Sequence, residues 1–230
     1  MKKLIVLSGA GMSAESGIST FRDSNGLWEQ HRVEDVATPE GFAKNPELVL
    51  DFYNQRRRQL LNCRPNAGHI GLVALEKDFD VHIITQNVDN LHELAGSTQV
   101  MHLHGELMKS CSVKDLRTPY DIPADRPDIR IGDKDMHGNQ LRPFIVWFGE
   151  AVPMIEPAVK LIRQADIVVV IGTSLNVYPA AGLLNSVTPQ CPIFLIDPND
   201  VAAYRSDIRF IKAGASEGVK ILAGILESMK

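Results

Sequence analysis

Five short apolar runs, residues 4–7, 81–85, 100–103, 167–171 and 193–196, constrain this chain more than any other feature. Each is rich in β-branched residues and too continuous to leave one face in water, so each reads as a strand buried on both faces. Between several of them lie helical patterns. Residues 46–61 repeat Leu48, Phe52 and Leu60 along one face, and residues 153–164 do the same with Ile155, Val159 and Ile162. Doubly buried strands separated by helices predict a parallel sheet with crossover helices. Pro179 opens a further helix at a first-turn position that tolerates proline, and residues 217–229 form the last one.

The first run follows Met1-Lys2-Lys3 and has the outline of a signal peptide, but it breaks at Ser8-Gly9-Ala10-Gly11 and reads as a strand instead. No run approaches the roughly 20 apolar residues that span a bilayer, so no membrane partner is expected. Lys and Arg number 24 against 28 Asp and Glu, a net charge of −4 without a long basic block, which excludes broad electrostatic binding of nucleic acid. Cys63, Cys111 and Cys191 are scattered without a CxxC spacing and suit a reducing cytoplasm as thiols rather than disulfides.

Two stretches fall outside the alternation and are expected to leave the sheet as a second, smaller lobe: residues 17–61, and residues 107–143, which are rich in Asp, Pro and Gly and lack a clear period. The larger lobe then comprises approximately residues 1–16, 62–106 and 144–230. Insertions of this kind build lobes over binding clefts.

The first strand runs into Gly9-Ala10-Gly11-Met12-Ser13-Ala14, which fits the G-x-G-x-x-A turn that lets a backbone approach a pyrophosphate. An ordinary glycine turn after a strand has the same look. The acidic residue that usually ends a second strand is missing, so the standard dehydrogenase arrangement does not apply. Polar residues follow the other strands too: Gln86-Asn87-Val88-Asp89, His104-Gly105, Gly172-Thr173-Ser174 and Asp197-Pro198-Asn199. Singly, Asn87 and Asp89 also suit caps of a helix near Asn90, and Thr173 and Ser174 caps of another. Five polar strand ends together favour one crevice. His104 follows a buried run and precedes Gly105, where its imidazole can face that crevice as a general base; His102 shares its direction only if the strand continues. The remaining histidines, at positions 31, 69, 82, 92 and 137, lack the spacing of a metal site, and His69 and His92 are read as structural.

Residues 9–22, together with Thr85-Gln86-Asn87-Val88-Asp89-Asn90-Leu91-His92, His102-Leu103-His104-Gly105 and Gly172-Thr173-Ser174, resemble the sirtuins, the NAD-dependent protein lysine deacylases. Arg142-Pro143-Phe144-Ile145-Val146-Trp147-Phe148-Gly149-Glu150 is similar to the family's substrate loop. The resemblance covers nearly the whole chain and implies an α/β fold, a Rossmann-like doubly wound parallel sheet with a smaller inserted lobe. It also implies NAD as cofactor and acyl-lysine proteins or peptides as substrates. Gly9, Ala10 and Gly11 would hold the pyrophosphate, and Thr20, Phe21 and Arg22 would belong to a mobile cofactor loop. Gln86 would contact the nicotinamide ribose, Asn87 would position ribose or water, and Asp89 would bind the carboxamide. His104 would be the general base. Gly172, Thr173, Ser174 and Asp197 would line the phosphate and adenosine ribose region, Asp197 standing where the family more often has Asn. The peptide would add as a strand between the loop of Phe148, Gly149 and Glu150 and the segment Asn176-Val177-Tyr178, with Val146 and Phe148 along the acyl-lysine tunnel.

This chain departs from the family twice. Sirtuins commonly carry two CxxC pairs binding a structural zinc, whereas residues 107–143 contain only Cys111, so the expectation is no zinc and a lobe held by packing alone. Ser19 stands where the family usually has proline. Tyr53 and Arg56, three residues apart on one helix face, resemble the acyl pocket of sirtuins that remove succinyl or malonyl groups, because a guanidinium with a phenol beside it binds a carboxylate. The other reading makes Arg56, Arg57 and Arg58 one solvated face, and the pocket is expected for Arg56 alone. ADP-ribosyl transfer, or NAD sensing without turnover, are the alternative functions.

Overall fold

The computed structural model describes residues 1–18, 31–173, 180–200 and 207–230. Strand β1 (Lys3–Ser8) leads into α1 (Gly11–Ala14), and α2 (Val33–Val36), α3 (Pro39–Lys44), α4 (Pro46–Leu61) and α5 (Ala67–Leu75) precede β2 (Asp80–Thr85). Then come α6 (Leu91–Ala95), β3 (Val100–His102), β4 (Gly105–Ser112), β5 (Tyr120–Asp121), β6 (Leu141–Ile145), α7 (Ile155–Ile162) and β7 (Ile167–Ile171). A 3₁₀ segment (Ala180–Ser186), β8 (Ile193–Ile196), β9 (Ile208–Ile211) and α8 (Ala215–Leu226) complete the described fold, with a short 3₁₀ turn (Glu227–Met229) at its end. No helix among the described residues is long and apolar enough to cross a membrane.

Six strands form one sheet in the order β3-β2-β1-β7-β8-β9, every pair parallel. The continuous apolar runs have a direct cause, since alternate residues enter opposite cores. Leu4, Val6, Ile83, Val169 and Phe194 pack with Leu72 of α5 and Val219 and Leu222 of α8. Ile5, Leu7, Ile84, Val168, Val170 and Leu195 pack with Ala158 and Ile162 of α7 and with Leu183 and Leu184. The chain winds outward from β1 to β3, then returns to the other side of β1 to lay down β7, β8 and β9. Strand order therefore reverses between β1 and β7, which opens a crevice at their carboxyl ends.

Two elements differ from the sequence expectation. Strand β9 was not expected, because it is an edge strand whose Arg209 and Phe210 are exposed and which lacks a continuous apolar run. The segment expected to continue from Pro179 as an α-helix runs as 3₁₀ turns where described, and Leu184 and Val187, three residues apart, share its buried side.

Strands β4, β5 and β6 make a second, antiparallel sheet. Gly105 starts it at φ +83°, and a Cβ there would lie 2.1 Å from the Phe144 carbonyl oxygen, so glycine alone lets β4 meet β6 as it leaves the large sheet. A third core, including Val36, Val49, Phe52, Tyr53, Leu107, Ile145 and Trp147, joins this sheet to α2 and α4. Helix α4 begins cleanly because Asn45 accepts from Leu48 N at 3.1 Å and Pro46 fits its first turn.

Packing alone does not hold the insertion, which corrects the sequence expectation. Asn54 of α4 pairs with Ile129 in both directions, Nδ2 donating to the carbonyl and Oδ1 accepting from the amide, each at 2.9 Å. Arg57 is fully buried, not solvated, and donates to Pro127 O at 2.6 Å, to Leu107 O at 3.4 Å and to Asn54 Oδ1. Arg58 grips Asp128 with two bonds of 3.0 and 2.6 Å. Burial pulls the Arg57 guanidinium down to about 10 despite Asp128 beside it, so it stays charged at neutral pH. Cys111 lies buried near Pro143 O with its thiol pushed up by burial to about 11, and among the described residues no three His, Cys, Asp or Glu gather to hold a metal. Arg57→Met removes donors from the Pro127 and Leu107 carbonyls and one of the two on Asn54 Oδ1, and should lower stability by about 3 kcal/mol, whereas a chelator should leave the melting curve in place. Denaturant titration and melting with and without chelator check this; a tightly held zinc whose removal unfolds the chain overturns it.

Candidate functional site

At the crevice the ends of β1 and β7 are in contact. Gly9 N donates to Ile171 O at 2.9 Å and Gly11 N to Gly172 O at 2.8 Å. A Cβ on Gly9 would sit 2.6 Å from Thr173 Cβ, and one on Gly11 would sit 2.7 Å from Gly172 Cα. The glycine pattern thus has a local cause in the close approach of two loops, and it leaves the backbone of Gly9, Ala10 and Gly11 lining the crevice floor beside Gly172 and Thr173. The end of β2 joins them, because Gln86 Nε2 donates to Thr173 Oγ1 at 3.0 Å.

Behind Gln86, Ser13 links the two polar residues that the sequence singled out. Its hydroxyl donates to Asp89 Oδ2 at 2.9 Å and accepts from Asn87 Nδ2 at 3.1 Å. With the hydroxyl proton committed to the carboxylate, the Asn87 amide must present its NH₂ to Ser13, which fixes its orientation. Asp89 Oδ1 also accepts at 3.1 Å from the N–H of Leu91, the first residue of α6, so the carboxylate is held from the helix side as well as by Ser13. Burial pushes the Asp89 carboxyl above its usual range, partly offset by these hydrogen bonds. Ser13 is fully buried and was not singled out individually; its place inside the glycine turn was the available signal.

The two histidines after β2 dock on consecutive carbonyls and take opposite electrostatic settings. His102 Nδ1 lies 2.9 Å from Asn87 O and its Nε2 lies 2.7 Å from Glu93 Oε1. Burial disfavours its charge, but Glu93 and the Asn87 carbonyl prevail, so its pKa is raised. His104 Nδ1 lies 3.1 Å from Gln86 O, and burial lowers its pKa. A carbonyl only accepts, so Nδ1 carries the proton and Nε2 keeps its lone pair, with no partner for it among the described residues. His104 is therefore set up as a neutral base. Strand β3 ends at His102, so the two rings reach the Asn87 and Gln86 carbonyls, just past β2, from different local structure.

The opposite wall is built by the β6 loop and α4. Val146 N donates to His104 O at 2.9 Å and Phe148 N to Ala37 O at 3.0 Å, which sets Val146 beside the base and leaves Phe148 and Gly149 exposed, Gly149 at φ +89°. Glu150 turns inward: it takes two bonds from Arg142, at 2.6 and 3.1 Å, and one from Trp147 N at 2.8 Å. Its carboxylate shapes the loop. Arg142 also donates to Ile145 O at 2.8 Å and lies 3.3 Å from the Trp147 ring centre. Tyr53 is buried in α4 and its hydroxyl accepts from Trp147 Nε1 at 3.0 Å. The half-buried Arg56 guanidinium lies 5.8 Å from the Tyr53 ring, with its pKa lowered by burial against the pull of Tyr53 and Asp89.

Asp197 ends β8 half-buried, and its Oδ1 accepts from Asn199 N at 2.8 Å. Thr20, Phe21, Arg22 and Ser174, with Ser19 and the segment Asn176-Val177-Tyr178, lie outside the described residues. The remaining sequence-selected residues come from two sets of elements: strand ends that supply a neutral imidazole and a buried serine–amide–carboxylate network, and a wall that combines a phenol with a guanidinium. Arg57 and Trp147 were missed as individual residues, the first because it was grouped with its arginine neighbours and the second because it was read only as part of a loop motif.

A family model described as Sir2 family matches residues 9–179. The chain is 58% identical to an NAD-dependent protein deacylase of Bacteroides thetaiotaomicron over 98% of both chains. It is 54% identical to one of Helicobacter pylori strain 26695, over 86% of this chain and 85% of that one. A crystal structure of a Sir2 homolog–NAD complex superposes with a TM-score of 0.89 at 36% identity, covering 99% of this chain and 90% of the other.

Proposed function

The chain belongs to the Sir2 family, and we propose on that footing that it is an NAD-dependent protein lysine deacylase acting on succinyl and malonyl groups as well as acetyl. The observation that carries the reading is His104, whose Nδ1 proton is spent on the Gln86 carbonyl so that Nε2 is the basic atom. The donor and acceptor set suits NAD: Asp89, Asn87 and Ser13 form a buried network able to take a carboxamide, and Gln86 and Thr173 border it. NAD, when bound, would supply an activated ribose carbon for the acyl oxygen, with nicotinamide as its leaving group. Asp89 would accept from the carboxamide, Asn87 would orient the ribose or a water, and Gln86 would face the ribose hydroxyls. His104 Nε2 takes the proton from a hydroxyl in the deacylation step. The backbone of Gly9, Ala10, Gly11, Gly172 and Thr173 would border the phosphates, with Thr20, Phe21, Arg22 and Ser174, which lie outside the described residues, as the further cofactor contacts that the family resemblance implies. Asp197 accepts from the adenosine ribose.

The acyl-lysine peptide adds along the loop of Val146, Phe148 and Gly149, with Glu150 holding that loop through Arg142. Tyr53 and Arg56 receive the far end of the acyl chain, where a carboxylate gains a guanidinium and a phenol at once. No zinc takes part. Mass spectrometry of acetyl- and succinyl-lysine peptides with NAD tests the assignment. The expected result is loss of both acyl groups, with nicotinamide released only when an acyl-lysine peptide is present. Arg56→Met should lower kcat/KM for the succinyl peptide about 10- to 100-fold, the range of one charge-assisted contact, and narrow its ratio to acetyl. NAD consumption without acyl loss would favour ADP-ribosyl transfer, and NAD binding without turnover a sensing module.

A further inference from the structure

Resting on the acyl-pocket reading above, we infer that Trp147 is a specificity-positioning residue, whose indole N–H aims the Tyr53 hydroxyl proton at a carboxylate on the acyl group. A phenol oxygen has one proton to give and lone pairs to receive. Trp147 Nε1 donates to Tyr53 Oη at 3.0 Å, so the oxygen is engaged as an acceptor and its own proton must point elsewhere. Tyr53 is buried to 1% exposure, and no acceptor for that proton lies among the described residues. A buried donor left without an acceptor is a standing penalty that a ligand carboxylate removes and an acetyl methyl does not.

The remaining neighbours hold this arrangement still. Burial raises the Tyr53 pKa, against the opposing pull of Arg56, Trp147 and Arg142, so the hydroxyl keeps its proton at neutral pH. Two groups pack against the Trp147 ring, and a third fixes its backbone. Arg142 covers its face at 3.3 Å, Glu150 binds both Arg142 and the Trp147 amide, and Phe42 packs at a centroid distance of 5.3 Å. A cation over the indole draws electron density from the ring and makes its N–H a stronger donor. The chain of contacts thus runs from Glu150 and Arg142 through Trp147 to Tyr53, and Arg56 stands beside the phenol at its end.

Trp147→Phe removes the N–H and keeps an aromatic face under Arg142. In steady-state assays with succinyl- and acetyl-lysine peptides, the succinyl-to-acetyl ratio of kcat/KM should fall about five- to tenfold, the loss appearing in the KM for succinyl. An equal loss on both peptides, or none, overturns the inference. The chain has two tryptophans, so Trp28→Phe assigns the Trp147 indole N–H resonance, and this second readout does not need the Trp147 variant to fold. That resonance should shift on adding the succinyl peptide and not the acetyl peptide; equal responses overturn the inference. If Arg56→Met leaves acyl selectivity unchanged, the pocket reading itself fails, which is a separate result from either of these.

Discussion

His104→Ala should reduce turnover of acyl-lysine peptides by about 10²- to 10⁴-fold, the usual contribution of a positioned general base, with the fold intact. Among the described residues the ring makes one hydrogen bond, to a backbone carbonyl, so its removal strands little else. The pH profile gives a second reading of the same residue. Burial lowers the His104 pKa, so the neutral base persists to lower pH than an ordinary histidine allows. The acid limb of kcat/KM should accordingly lie below about 6.5, the unperturbed value. An acid limb above that value, or a variant that keeps near-native turnover, would remove His104 from the role. His102 is the contrast, since its bond to Glu93 raises its pKa and suits it to hold a charge rather than take a proton.

Stability should fall steeply on mild acidification, by about 5 kcal/mol between pH 7.5 and 4.5, because of two other histidines. His69 and His92 are fully buried with ring centres 4.8 Å apart. His69 Nδ1 accepts from Asn66 N at 3.3 Å, and His92 Nε2 lies 3.0 Å from Ser8 Oγ. The other nitrogen of each ring, His69 Nε2 and His92 Nδ1, has no partner among the described residues. Burial lowers His69 to about 4 even with Glu15 and Glu93 in range, and burial with the neighbouring His69 and His102 lowers His92 to about 3. Folded values below the unfolded one mean that the unfolded chain binds protons first as pH drops below 6.5, so stability is lost toward acid. His104 acts in the same direction. His102, with its raised value, opposes them, its contribution being present at low pH and lost as pH rises through its folded value. Denaturant titrations at several pH values check the slope, and a flat stability over this window would contradict it.

How much of this could be read from the sequence depends on what each residue faces. Strands β1, β2, β7 and β8 were readable because both their faces enter cores, which demands unbroken apolar runs. Strand β9, with one edge and two side chains in solvent, carries no such demand. His104, Asn87 and Asp89 were readable because they follow buried strands, where open α/β sheets gather polar groups. Ser13, which joins Asn87 to Asp89, was not, since a serine inside a glycine turn looks the same whether its hydroxyl faces water or a carboxylate. Arg57 shows a different limit. Three successive arginines look alike in sequence, yet successive residues on a helix point about 100° apart, and only the fold reveals that the middle one points inward.

Helix α4 carries two readers on one rod. Tyr53 and Arg56 form one row, while Asn54 and Arg57, also three residues apart, form the next and grip residues 127–129. A helix is stiff, so anything that loosens that grip turns the first row before it melts the protein. On the acyl-pocket proposal, fidelity between acyl groups should therefore decay at a lower temperature than the structure does, although residues 127–129 need never touch the acyl chain.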